Sequence, residues 1–191
     1  MNKLRFSFFS FFTLLSLAGF AAPPGYSYYK LCTTQESQIT VGVTTLNNFP
    51  VLVRITDNDL RSTANGGYVQ NVNGFDIIYT AADGNTVIPF QLESYNAVTG
   101  SVVAWVKVPV VSSTVNSNFY MYFGNSSVVT NQSSTATWDA NYKAVYHLHA
   151  NENDGTANAF NLVNSGTTNL VGAVAADGQH FVPAQFLRYS A

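Results

Sequence analysis

Charge and sulfur are what this chain of 191 residues has least of. Asp, Glu, Lys and Arg together make up 9% of it, and the formal net charge is −2. No basic stripe occurs, so the electrostatic footprint of a nucleic-acid binder is missing. Cys32 is the single cysteine, so no internal disulfide can form and folding has to rest on core burial. It stands well beyond the leading apolar run, after Tyr29-Lys30-Leu31, which argues against lipidation and for a small buried hydrophobe. Neither a Gly-rich phosphate loop nor a Gly-x-Ser-x-Gly elbow occurs. Beyond residue 21 there is no second long apolar run, so the mature chain reads as having no membrane span.

What is present in quantity is aromatic and hydroxyl-bearing. Aromatic residues make up 14% of the chain, and Ser, Thr, Asn and Gly fill much of the rest. That balance suits an extracellular β protein and is too apolar for a disordered chain. The first residues carry an export signal: Lys3 and Arg5, then the apolar run Phe6 to Leu17, then Gly19-Phe20-Ala21 at the cleavage site. Residues 1–21 are read as signal peptide, with cleavage after Ala21 and Ala22 as the alternative. An uncleaved anchor would need an apolar run of about 20 residues. Loss of Lys3 and Arg5 leaves six basic residues against ten acids. The expected location is secreted or cell envelope.

The organising stretch runs from Gly74 to Asn125. Four apolar runs, Phe75 to Thr80, Thr86 to Tyr95, Ser101 to Val108 and Asn118 to Phe123, are separated by turn residues. Asp83-Gly84 is a strong hairpin signal because Gly tolerates positive φ, Asn96 to Gly100 is a second short loop, and Pro109 should close the third run. The expectation is an antiparallel meander. Upstream, an aromatic strand follows the Pro/Gly segment at residues 22–31, and Ser37 to Leu46 reads as another strand. After a turn at Asn47-Asn48 comes Pro50 to Thr56, with Val51, Val53 and Ile55 on one face and Leu52 and Arg54 on the other. Asp57-Asn58-Asp59 is placed to cap a short helical turn.

Asn125 to Trp138 is polar and lacks helical periodicity, which marks a linker or exposed crossover. The expected organisation is a β-sandwich over 22–127, a linker at 128–140 and a further module over 141–191. Lys143 to His149 reads as a strand, with weaker ones near Leu170 to Ala175 and Phe181 to Leu187. So few apolar runs cannot build a second complete sandwich. Either the chain is a fragment of a longer protein or the tail packs on the first domain.

The ordered set FPVLVRIT, GFDIIYTAADGNTVIPFQLESY, VVAWVKVPVV, FYMYFGN and ATWDANYKAVYHL resembles the bacterial domain of unknown function 2341 family, over roughly Tyr28 to Leu148. That resemblance implies an exported, often multidomain setting and assigns no activity. The tail, NDGTANAFNLVNSGTTNLVGAVAADGQHF, resembles the opening of a laminin-G or concanavalin A-like module, here read as truncated.

Candidate chemistry is sparse. His147 and His149 stand two apart, so on a strand both imidazoles would share a face, as a metal pair would; Asp154, Glu152 and His180 are the possible third ligands. A His-Leu-His edge on a half-buried strand explains the same pattern. Asn151-Glu152-Asn153-Asp154-Gly155 is dense in the oxygens calcium takes, and equally fits an Asx-Gly turn. Glu93 and Asp83 are the obvious carboxylates for glycoside hydrolysis, but Asp83 is accounted for by its turn, and Glu93 could pair with Lys107 or Arg54 across the sheet. Aromatic rings beside amides and carboxylates suit sugar recognition, which points to Trp105, Tyr120, Tyr122 and Glu93 as ligand-binding candidates; core packing is the competing use. Alternation puts Phe119, Met121 and Phe123 in the core and Tyr120 and Tyr122 outside. The reading is an all-β antiparallel sandwich of jelly-roll or Greek-key type, without a catalytic constellation. It would bind glycan or a neighbouring domain; the alternative is the amino-terminal part of a carbohydrate-active hydrolase.

Overall fold

The computed structural model describes residues 22–39, 45–149, 151–173 and 175–190. The export signal expected over residues 1–21 lies outside the described residues, as does the middle of the strand expected from Ser37 to Leu46. Ten strands are described: β1 Tyr28–Thr34, β2 Thr45–Thr56, β3 Ile78–Thr80, β4 Phe90–Asn96, β5 Ser101–Ser112, β6 Ser117–Phe123, β7 Leu162–Ser165, β8 Thr168–Val171, β9 Asp177–His180 and β10 Phe186–Tyr189. The described residues otherwise hold only short 3-10 turns and no α-helix. The fold is all-β, and its strands pair antiparallel.

Two three-stranded sheets, ordered β1-β6-β3 and β2-β5-β4, carry the core, and two two-stranded pairs, β10-β7 and β8-β9, make up the tail. The meander is therefore a correction: β4 and β5 pair with each other, while β3 and β6 sit in the other sheet. The Asp83-Gly84 hairpin does form. Asp83 accepts from the Asn85 and Thr86 N–H groups, and Thr80 bridges to Val87. Past Val87 the chain meets Ile88 and Pro89 and enters the second sheet as β4, because proline offers no N–H to continue the first ladder.

Two further expectations are corrected. β5 runs through Pro109 to Ser112, and β2 runs through Asn47-Asn48. Asn48 holds φ at 51°, a value Asn tolerates better than most residues, and its pair with Pro109 is the one gap in the β2–β5 register. On its other side β5 has no partner at Pro109, since the β4 register begins only at Val106, so the missing donor costs no ladder bond. Glu36–Gln38 is a 3-10 turn and not strand.

The inward faces follow the alternation. Val51, Val53 and Ile55 of β2 meet Val102, Ala104 and Val106 of β5, while Cys32, Phe119, Met121 and Phe123 come from the other sheet, all in one buried cluster. Tyr79 lies between the sheets, its ring centroid 5.3 Å from Phe90 and 6.3 Å from Phe119. Full burial of such a side chain is worth about 1.5–3 kcal/mol, so this cluster dominates stability. Beyond Trp138 no described apolar side chain is buried. The buried side chains of the described tail are polar: Asp154, Thr156 and Thr167.

The connection from Asp57 to Gly74 is pinned in two places. Asp57 caps the turn Asn58–Leu60 by accepting from the Asp59 N–H, and Lys30 bridges Asp57 and Asp59 at 3.0 and 2.9 Å. Fully buried Asp76 accepts from the N–H groups of Gln70, Asn71 and Gly124, which ties the loop to the end of β6.

Candidate functional site

The β4–β5 register slips between Leu92 and Ser94, leaving Glu93 as an extra, unpaired residue. A bulge of this kind re-aims one side chain and reverses the facing of those after it. Gln91 pairs with Trp105 on the outer face of the sheet, whereas Tyr95 pairs with fully buried Val102 and turns inward. Its hydroxyl donates to the Leu60 carbonyl at 2.8 Å. Glu93 is thereby left on the outer side, buried beneath what comes next in the chain.

That cover is the segment from Asn131 to Gly155. It runs along β4: the Leu92 N–H donates to Ser133 Oγ at 2.9 Å and the Ser134 N–H to the Phe90 carbonyl at 2.8 Å. Trp138 then lies over Gln91, donating from Nε1 to Gln91 Oε1 at 2.7 Å. An indole nitrogen only donates, so this bond identifies the Gln91 oxygen, and Gln91 Nε2 is left to donate to the Gly155 carbonyl. His147 Nε2 is 2.7 Å from the same Gln91 oxygen. Its Nδ1 faces Glu93 Oε2 at 3.2 Å. Trp105 Nε1 donates to that same Glu93 oxygen at 2.6 Å. The rings form a wall, Trp105 and Trp138 with centroids 5.5 Å apart and Trp138 and Tyr142 5.1 Å apart.

Two spaces lie at the seam, and the rings border the first. It is an apolar cavity of about 610 Å³ bordered by Phe49, Leu52, Trp105, Trp138, Tyr142 and Val145. The second is a polar pocket of about 210 Å³ lined by Glu93, Asn131, Ser133, His149, Asn151 and Asn153, among others.

The structure thus gathers five of the sequence candidates, Glu93, Trp105, His147, His149 and Asp154, at one seam. Glu93 finds Trp105 and His147 there; Lys107 instead donates to the Ala136 carbonyl at 2.8 Å. The strand expected over Lys143 to His149 is a correction: only Tyr146 bridges, to Asp154, and Leu148 takes φ of 55°. Both histidines still line the polar pocket, with His149 Nδ1 2.9 Å from Asp177 Oδ2. The Asn169 amide first, then the Gly172 N–H and His149, hold the Asp177 carboxyl below its ordinary value against the opposing effect of burial. No group of three His, Cys, Asp or Glu side chains among the described residues is arranged to hold a metal ion.

Asp154 is the knot of the tail. Burial raises its pKa, but the Val145 N–H, the Thr156 N–H and hydroxyl and the Phe160 N–H outweigh that and lower it overall. The oxygen-dense run Asn151 to Gly155 works here as a turn closed on its own backbone.

Tyr120 and Tyr122 stand elsewhere, on the outer face of the β1-β6-β3 sheet. Tyr29 joins them, with centroids 5.8 Å from Tyr120 and 5.6 Å from Tyr122. Tyr120 is half-buried and Tyr29 half exposed, but Tyr122 is only 3% exposed. Tyr26, 6.4 Å away, and Tyr29 cover it, so it is the floor of the cluster. Desolvation, then the Tyr29 phenol, raises the Tyr120 pKa.

Sequence reasoning missed Gln91, Asp76 and Asp177. Gln91 had a signal, an amide set in an otherwise apolar run opposite a tryptophan. Asp76 and Asp177 had none, because their partners are backbone groups and distant side chains.

This is an all-β protein whose polar seam joins a two-sheet core to a tail. Residues 73–161 match the family described as Domain of unknown function (DUF2341), and this matched segment runs from the core sheets through the seam and ends beside the Asp154 turn. No laminin-G or concanavalin A-like match accompanies it. No curated protein and no solved structure matches the chain.

Proposed function

We propose that the chain is an exported, non-catalytic β-sandwich module that binds glycan through the tyrosine face of the β1-β6-β3 sheet. The observation that carries this reading is the contact of Tyr29, Tyr120 and Tyr122 on one outer sheet face, with Tyr29 half open to solvent. Such a surface offers ring faces for pyranose C–H groups and phenol hydroxyls at its margin. The hydrolase alternative is disfavoured because the other acid at the pocket, Asp154, accepts from the Val145, Thr156 and Phe160 N–H groups, which leaves Glu93 without the second carboxylate that glycoside hydrolysis uses. The test is retention on insoluble polysaccharides of the intact chain beside Tyr29→Ala and Tyr120→Ala. Both variants should lose retention while still folding, as shown by a cooperative unfolding transition. Retention that survives both substitutions defeats the reading.

Docking of a neighbouring domain is the second reading, and the seam favours it. Gln91 and Glu93 already hold the segment from Trp138 to Gly155 by side-chain contacts. The pairs β7–β10 and β8–β9 would then open a laminin-G or concanavalin A-like module seated on that seam.

A further inference from the structure

We infer that the polar pocket at the seam is a second site, separate from the tyrosine face, that takes a single neutral sugar residue with one of its hydroxyls donating to Glu93 Oε1. The pocket measures about 210 Å³, below the ~300–1,000 Å³ of sites for drug-sized ligands, so its occupant is small. Its lining, which includes Glu93, Asn131, Ser133, His149, Asn151 and Asn153, has no Lys or Arg, which disfavours phosphate or carboxylate ligands.

Glu93 supplies the decisive feature. Its side chain is 3% exposed, and its contacts with Trp105 and His147 both fall on Oε2. Among the described residues Oε1 has no hydrogen-bond partner. It is not among the buried atoms left without a partner, so it opens on the pocket, where a ligand hydroxyl can donate to it. Around it the free groups are of mixed polarity. Asn131 and Asn151 use their side-chain oxygens on the backbone of Ser133 and Asn153, leaving their amino groups as donors. The Asn153 side chain has no protein partner among the described residues. Asp177 takes up Nδ1 of His149, so the other ring nitrogen remains. Hydroxyls both donate and accept, so a polyol matches this lining as neither a pure anion nor a pure cation does.

The experiment is a titration of the intact chain with glucose, galactose, mannose, N-acetylglucosamine and short oligosaccharides, followed by calorimetry and by amide chemical shifts. At least one sugar should bind saturably with millimolar affinity and shift amides at residues 91–93 and 151–155. Asn153→Ala and His149→Ala should each weaken binding at least fivefold, with Asn153→Ala leaving the unfolding midpoint unchanged. Tyr29→Ala should leave it intact, which separates this site from the tyrosine face. Oligosaccharides binding no more tightly than the monosaccharide would identify a chain-end or free sugar, and tighter binding an internal residue; either supports the site. No saturable sugar binding, binding indifferent to both seam variants, or binding of calcium or ammonium in place of sugar would overturn it.

Discussion

The Trp105 indole donates to the Glu93 carboxylate at 2.6 Å, from β5 to the bulge of its neighbouring strand. An acid on a regular strand would alternate with its neighbours and meet the residue directly opposite. Here the extra residue frees Glu93 from the ladder, and the carboxylate sits where Trp105 and His147 both reach it. The same slip sends Tyr95 to the core side. One irregularity thus places a candidate ligand group and a core anchor together.

Replacing Glu93 with Gln should therefore register as a loss of stability. Gln keeps the shape but removes the charge that strengthens the bond from Trp105, and hydrogen bonds to charged groups are worth about 1.5–3 kcal/mol. Urea unfolding at neutral pH should show a loss of about 2 kcal/mol. A variant as stable as the parent would mean that the Trp105 and His147 contacts contribute nothing net.

Two glycines separate backbone strain from steric contact. Gly66 and Gly100 both hold positive φ, at 82° and 69°. A Cβ on Gly66 would meet nothing within 4 Å, whereas one on Gly100 would lie 2.0 Å from the Asp57 carbonyl oxygen. Gly66→Ala should cost about 1–2 kcal/mol, the price of a left-handed conformation. Gly100→Ala should cost clearly more, since the cap at Asp57 must shift as well. Equal losses in chemical denaturation would refute the assigned contact.

Strand content and inward faces were legible because they follow local rules. Val51, Val53 and Ile55 alternate with Leu52 and Arg54, and Asp83-Gly84 makes its turn from its own side chains. Sheet membership was not legible, because the β3-to-β4 crossover depends on which sheet has a vacant edge beside Pro89. At the site, Trp105 and Glu93 could be singled out by residue type. Their meeting depended on a bulge, which alternation cannot anticipate, and on His147 arriving from 54 positions later in the chain. Tyr122 was expected outside and is on the outer face, yet Tyr26 and Tyr29 bury it, a long-range consequence of β1 pairing with β6.

Cys32 should be chemically silent until the protein unfolds. Burial above all pushes its thiol up to about 12, and thiol reactivity follows the thiolate fraction. Alkylation by iodoacetamide at pH 8 should be negligible in buffer and complete in denaturant. Rapid labelling of the folded protein would place Cys32 outside the core.

Acid should loosen the tail before the core, and Asp154 is the reason. Its folded pKa is lowered because its net balance of hydrogen bonds outweighs burial. A group depressed on folding contributes stability that is fully present above its unfolded value, about 3.9, and that is lost as pH falls through the folded one. The described tail buries no apolar side chain beyond Trp138, so little else offsets the loss. Amide exchange at Val145, Thr156 and Phe160 should therefore accelerate as pH is lowered from 5 toward 2, after correction for the intrinsic rate, while Val53 and Val106 stay protected. Asp154→Asn removes the titrating group, so these three amides should exchange faster already at neutral pH and lose their extra acid dependence. Protection that falls in the core strands at the same pH, or an acid response that persists in Asp154→Asn, would assign the transition to other carboxylates.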